Sequence, residues 1–235
     1  MDKSYNNIAL FFIAITAITF VGFYHTYFVL FPDFEGKIML HHVHAFGMIL
    51  WLATLIVQPI LISKRKYKWH RAIGKASYLL VPFIVISMLL AYRISFLKSI
   101  SEDGVVHSRG LVMLFLPLTD VLPFTIFYLL AIINKKKIAS HLRFMISTAV
   151  IIVSAGLLRI FMKWVDLNFM EALYVSIVTQ TLVFLSLIFL DLRNGMFAKN
   201  KSFLTAFVIF AFPNALLFFV PYTSWWRSLA EALIN

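Results

Sequence analysis

An all-α bundle of membrane-spanning helices, about seven of them, is the fold this sequence predicts. Three observations predict it. The hydrophobic share is 62% against 13% charged, more apolar surface than a soluble core of this size hides. Mean hydropathy is +0.91. The 235 residues also fall into apolar runs of about 20, each long enough to cross a ~30 Å hydrocarbon layer as a helix. There are no cysteines, which excludes disulfides, thiolate metal sites and covalently attached c-type haem.

The predicted spans run over residues 7–31, 43–63, 71–96, 110–134, 141–163, 170–192 and 203–223. The first is too long for a signal peptide, lacks a basic start and has no small-residue cleavage site. In the fourth, Pro117 and Pro123 are expected to kink a segment longer than its counterparts. After the seventh, Tyr222, Trp225 and Trp226 read as an interfacial belt. The joining segments are short, so the chain reads as one integral membrane domain, 1–235, with no soluble part.

The net charge of +11 does not point to nucleic acid. Lys and Arg concentrate on alternate loops: KRKYKWHR after span 2, KKKIASHLR after span 4 and RNGMFAKNK after span 6. The other loops carry acids, Asp33 and Glu35, Glu102 and Asp103, Asp166 and Glu171. The positive-inside rule then places the amino terminus inside and the carboxyl terminus outside, with the basic loops against anionic lipid headgroups.

This orientation sorts the seven histidines: His25, His41, His42, His44 and His107 to the outer face, His70 and His141 to the inner. It also exposes a repeat over 41–96 and 104–163. His44-x-x-Gly47 opens span 2, and His107-x-x-Gly110 opens span 4. His70 follows the basic run beginning at Lys64 by six residues, and His141 follows Lys135 by the same offset. Two helical pairs in parallel orientation imply a four-helix core, spans 2–5, about an axis along the membrane normal. That axis would set span 2 against span 4 and span 3 against span 5, bringing His44 towards His107 and His70 towards His141.

Two resemblances attach to these residues. HVHAFG, Gln58-Pro59, KWHRAIG and the later SHLRFMISTAVIIVSAGLLR resemble a bacterial family of integral membrane proteins of unknown function, over residues 41–163. That likeness implies a bacterial inner membrane and supplies no activity. In layout, four histidines on four consecutive spans are similar to the two-haem b-type transmembrane cytochromes, whose alternate helices pair to hold one haem near each face. The resemblance implies up to two b haems, on His44 with His107 and on His70 with His141, and electron transfer across or within the membrane. A bis-histidine haem has no open coordination position, which suits that role. Arg71 and Arg143 beside the inner histidines, and Arg93 and Arg159 near the outer ends of their spans, are the candidate partners for haem propionates. Gly47, Gly74 and Gly110 would let a flat macrocycle approach the backbone. Against this stands distance: His44 lies roughly 28 Å from the far end of its span at ~1.5 Å per residue.

Two other classes stay open. A membrane hydrolase would hold zinc or copper with His25, His41, His42, His44 or His107 above Asp120, although no i, i+4 histidine pair is present. A transporter or assembly factor without a redox group would use the histidines for lipid, protons or transient metal. Asp120 and Arg159 read either as an inter-helix ion pair or as a proton site. Gln58, Gln180 and Asn214 supply either inter-helix hydrogen bonds or the lining of a quinone or substrate cleft.

Overall fold

The computed structural model describes residues 2–100 and 106–233, with side chains from residue 5 onward. Glu102 and Asp103, expected in an acidic loop, and the start of the second repeat at 104 lie outside the described residues.

Seven helical spans are long and apolar enough to cross a membrane, and the chain is a multi-pass membrane protein. They are α1 (Asp2–Tyr24), α2 (Met39–Ser63), α3 (Tyr67–Leu97), the pair α4 (Ser108–Thr119) and α5 (Val121–Ile133), α6 (Ile138–Lys163), α7 (Phe169–Arg193) and α8 (Ser202–Leu216) with the short turn that follows it. A further helix, α9 (Ser224–Ala232), buries Trp226 and leaves Trp225 exposed. The Trp226 indole N–H donates to the Leu111 carbonyl at 3.0 Å, which pins α9 across α4.

The first span begins and ends earlier than its hydropathy predicts. Helix α1 stops at Tyr24, and its 20-residue apolar span from Tyr5 already covers about 30 Å. Residues 25–31 instead fold over the bundle end as a turn and a single 3-10 turn, Phe28–Leu30. The fourth span breaks where its prolines suggest. Pro117 and Pro123 lack the amide that would bond the carbonyl four residues back, and the chain reorients between them at Asp120 (φ −115°, ψ −58°).

Helix α6 is the most buried span and packs against α1, α5, α7 and α8. Helix α2 lies between α1 and α3, also touching α6, while α3 packs on α4 and α5. Trp51 of α2 reaches the rings of Phe124 and Tyr128 on α5. The α1–α6 crossing is very close. A Cβ on Gly22 would strike the Gly156 carbonyl oxygen, and one on Gly156 would lie 2.9 Å from the Thr19 Cα. Small residues let helix backbones approach where hydrocarbon solvent gives no hydrophobic push. Large side chains such as Leu79, Ile133 and Phe219 stay exposed around the outside, the expected lipid-facing surface.

Candidate functional site

The ends of the bundle are named here by their loops: odd for those after spans 1, 3 and 5, even for those after spans 2, 4 and 6. A cavity of about 340 Å³ opens in the odd-loop half. Its lining runs along α2 from His41 through His44 and Met48 to Leu52, so it penetrates roughly 16 Å at ~1.5 Å per residue. Helices α1, α3, α4, α6 and α7, with Asn214 of α8, complete the walls, and Lys37 and the folded-over segment with Thr26, Tyr27 and Phe28 reach over it.

His41 and His44 share one face of α2 by i, i+3 spacing, and their hydrogen bonds fix opposite roles. The Ser87 hydroxyl donates to the Ile84 carbonyl at 2.7 Å. Its oxygen therefore accepts from His44 Nδ1–H, 2.9 Å away. Neutral His44 is left with a free lone pair on Nε2. In His41 the order reverses: Nδ1 accepts from the Ile38 amide at 3.0 Å, so Nε2 carries the proton. One ring offers the cavity an acceptor, the other a donor.

The cavity's charge is lopsided. Lys37, His41 and Arg159 line it towards the odd-loop end. Burial holds the Lys37 ammonium below the ordinary lysine range, and the positive charges of Arg159 and Lys98 lower it further. Arg159 donates to the Ala155 carbonyl at 2.8 Å and stacks over Phe23, its guanidinium carbon 4.1 Å from the ring centroid. Among the described residues, no carboxylate lies within 4 Å of Lys37 or Arg159. The Thr26 hydroxyl, which also lines the cavity, is buried and has no hydrogen-bond partner among the described residues.

Asp120 lines the cavity at the α4–α5 break. Its expected partner Arg159 is not the one it has. Tyr92 Oη donates to Oδ2 at 2.5 Å, and Ser154 Oγ donates to Oδ1 at 3.3 Å. Ser154 precedes Arg159 by five residues, about 7.5 Å of helix, so α6 meets the carboxylate with its hydroxyl and carries the guanidinium nearer the odd-loop end.

The other sequence candidates fall elsewhere. His107 stands exposed at the N-cap of α4 and does not line the cavity. His42 points away, bonded through Nδ1 to Tyr27 Oη at 2.7 Å and packed on Phe34. Burial pushes the Tyr27 phenol up, which keeps it protonated in that bond. His25 is exposed against Trp164. Arg71 and Arg93 are exposed. His70 and His141 lie within electrostatic reach of one another. His141 Nδ1–H donates to the Ala131 carbonyl at 2.8 Å, whereas His70 Nδ1 and Gln58 Oε1 are buried with no partner among the described residues. Gln58 Nε2 donates to the His70 carbonyl at 3.2 Å, and Gln180 Nε2 to that of Val150 at 2.7 Å, so both glutamines bridge helices. Arg143 is committed to Asp191 through two bonds of 2.7 and 2.6 Å.

The expected cofactors fit unevenly. Among the described residues, no three His, Asp or Glu side chains come together as a metal-ion site. The room beside Gly47 is filled by Phe83 and Ile84, and that beside Gly110 by Ser99 and Val106. His44 turns a free Nε2 towards a cavity that also carries cations, which are features a haem would use.

The sequence reading passed over Lys37, Tyr92, Ser87, Ser154 and Thr26. One of them carried a signal: Lys37 is the basic residue of a loop otherwise read for its acids. The chain matches no known protein family, no curated protein and no solved structure.

Proposed function

We propose that this chain is a membrane carrier for an amphiphile with an anionic head, received in the cavity at the odd-loop end. One observation supports this above the others: Lys37 and Arg159 flank a largely apolar cavity and, among the described residues, no carboxylate lies at ion-pair distance from either. An anion entering there relieves the mutual repulsion of the cations and gains charge-assisted hydrogen bonds. His41 Nε2–H and the unpartnered Thr26 hydroxyl add neutral donors for the same head. Below them Phe20, Met48, Leu52, Met88 and Met113 form an apolar wall, and methionine adapts to chains of differing shape. The alternating basic loops support an orientation with the odd loops outside, so the cavity would face the outer leaflet of a bacterial inner membrane.

Carboxylate and phosphate heads share this chemistry. Equilibrium binding to purified protein separates them, with a fluorescent long-chain fatty acid, a lysophosphatidate and an uncharged monoacylglycerol as probes. Either anion should bind at least tenfold more tightly than the monoacylglycerol, and Lys37→Ala should remove most of that preference. Equal binding of all three probes would contradict the proposal.

His44 supports a second reading, a b-type haem protein of the membrane. A haem is itself an amphiphile with two carboxylates, and bound iron would supply one-electron chemistry. Nδ1–H held by Ser87 orients the imidazole as second-shell partners orient a metal ligand, and Lys37 and Arg159 would answer the propionates. His70 and His141 would serve a second haem, with a quinone or a redox protein as partner. Protein from haem-supplied cells should then show a Soret band that His44→Ala weakens. A colourless preparation would remove this reading and leave the carrier.

A further inference from the structure

Two acids of the spanning helices are answered differently. Asp191 meets a guanidinium. Among the described residues, the side-chain partners of the Asp120 carboxylate are neutral hydroxyls, from Tyr92 on α3 and Ser154 on α6. The other charged or titratable groups lining its cavity are His41 and His44 from α2, Arg159 from α6, and Tyr27 and Lys37 from the α1–α2 loop; α7 contributes the neutral Ser176 and Gln180. Among the described residues, no cation lies within 4 Å of the Asp120 carboxylate. It also sits at the one break between α4 and α5, halfway along a span. Discontinuous helices at mid-membrane are where carriers place ion and substrate sites.

An anion in this cavity would share low-dielectric space with an ionised Asp120, and two like charges there repel strongly. A proton on the carboxyl removes the conflict. We infer that Asp120 is a proton-binding site coupled to the cavity, taking a proton from water as the anionic amphiphile enters and returning it as the amphiphile leaves. The inference rests on the anion-binding reading above. One proton and one negative charge enter together, so loading is electroneutral at this site. The hydroxyls suit both states: Tyr92 keeps its bond to Oδ2, while Ser154 Oγ accepts from a protonated Oδ1 as readily as it donates to an ionised one. By linkage, proton and anion raise each other's affinity by the same factor.

The test uses the full chain in an uncharged detergent and a long-chain alkyl sulfonate, whose head stays ionised at every pH used. Calorimetric titration in two buffers of different ionisation enthalpy gives the protons taken up per sulfonate bound. Wild type and Asp120→Glu should take up protons, His41→Gln should still do so, and Asp120→Asn should bind sulfonate with that uptake lost. Undiminished uptake by folded Asp120→Asn would overturn the inference while leaving the anion site standing. Failure of wild type to bind sulfonate at all would overturn the anion site itself, and the coupling with it. Should Asp120→Asn not fold, infrared difference spectra of wild type decide the matter. A protonated-carboxyl C=O band should grow on adding sulfonate, and its absence overturns the inference.

Discussion

The two halves of the bundle treat their buried charges in opposite ways. In the even-loop half they close on one another: Arg143 is paired with Asp191, its third bond goes to the Ala139 carbonyl, and its face rests on Phe203. In the odd-loop half Lys37, His41, His44, Arg159 and Asp120 line a cavity, and among the described residues none of them is held in an ion pair. A buried pair with every group satisfied fastens helices together. Unmet donors around a cavity wait for a ligand. The difference teaches that charge inside a membrane span is a fastener or a site according to whether its partner is built in.

The largest effect should come from breaking the fastener. Arg143→Ala leaves Asp191 buried without its counter-charge and should cost about 3–5 kcal/mol of stability. The double variant Arg143→Leu with Asp191→Leu removes both charges and should melt well above either single variant. Thermal melts in detergent check this, and equal losses in all three proteins would mean the pair does not act as a unit.

Next in size is the α1–α6 crossing, which sets the cavity wall. Gly156→Leu forces the backbones of Gly156 and Thr19 apart, an overpacking cost of about 1–3 kcal/mol or more. It should also weaken anion binding, because separating α1 from α6 lifts Phe23 from beneath Arg159. A melt lowered without any change in probe affinity would show that the crossing does not shape the site.

Arg159→Gln should do the reverse. It keeps hydrogen-bonding capacity and removes a positive charge, so affinity for an anionic probe should fall about tenfold, equivalent to about 1.4 kcal/mol. The loss of the cation–π contact should lower stability by only about 0.5–2 kcal/mol. Comparing the affinity with the melting temperature separates the two.

The smallest effect should follow Ser87→Ala. The His44 ring loses the oxygen that fixes its Nδ1–H, at a cost near 1 kcal/mol. Nitrogen NMR of labelled histidine should show one dominant His44 tautomer in wild type and a mixture in the variant. The same mixture in both would mean that Ser87 does not set the ring.

Much of this contrast was legible in the residues. Hydropathy located the seven spans, because lipid forces the backbone into continuous helices. The prolines announced the break at Asp120 for a local reason, the missing amide. What hydropathy could not place was the end of α1, since residues 25–31 are apolar enough for lipid yet cover the cavity. Partner choice was also hidden. Asp120 has a cation on α6 in Arg159, but helical rise puts Ser154 at its level instead. Arg143 looked free beside His141 because Asp191 lies 48 residues away in sequence. His41 and His44, three apart, share the cavity, while His42 between them bonds Tyr27 instead.

The reactivity of Lys37 tests the anion site most directly. Its ammonium is held below the ordinary lysine range by burial and by Arg159 and Lys98. A lowered value means a larger neutral, nucleophilic fraction at a given pH, so Lys37 should acylate at lower pH than exposed Lys135, Lys136 or Lys163. A bound anion stabilises the ammonium and must move the profile back to higher pH. Residue-resolved mass spectrometry of acylation across pH, with and without lysophosphatidate, reads both. The anion site predicts an early Lys37 profile that lysophosphatidate shifts upward and monoacylglycerol does not. A Lys37 profile that coincides with the exposed lysines and ignores lysophosphatidate would contradict it.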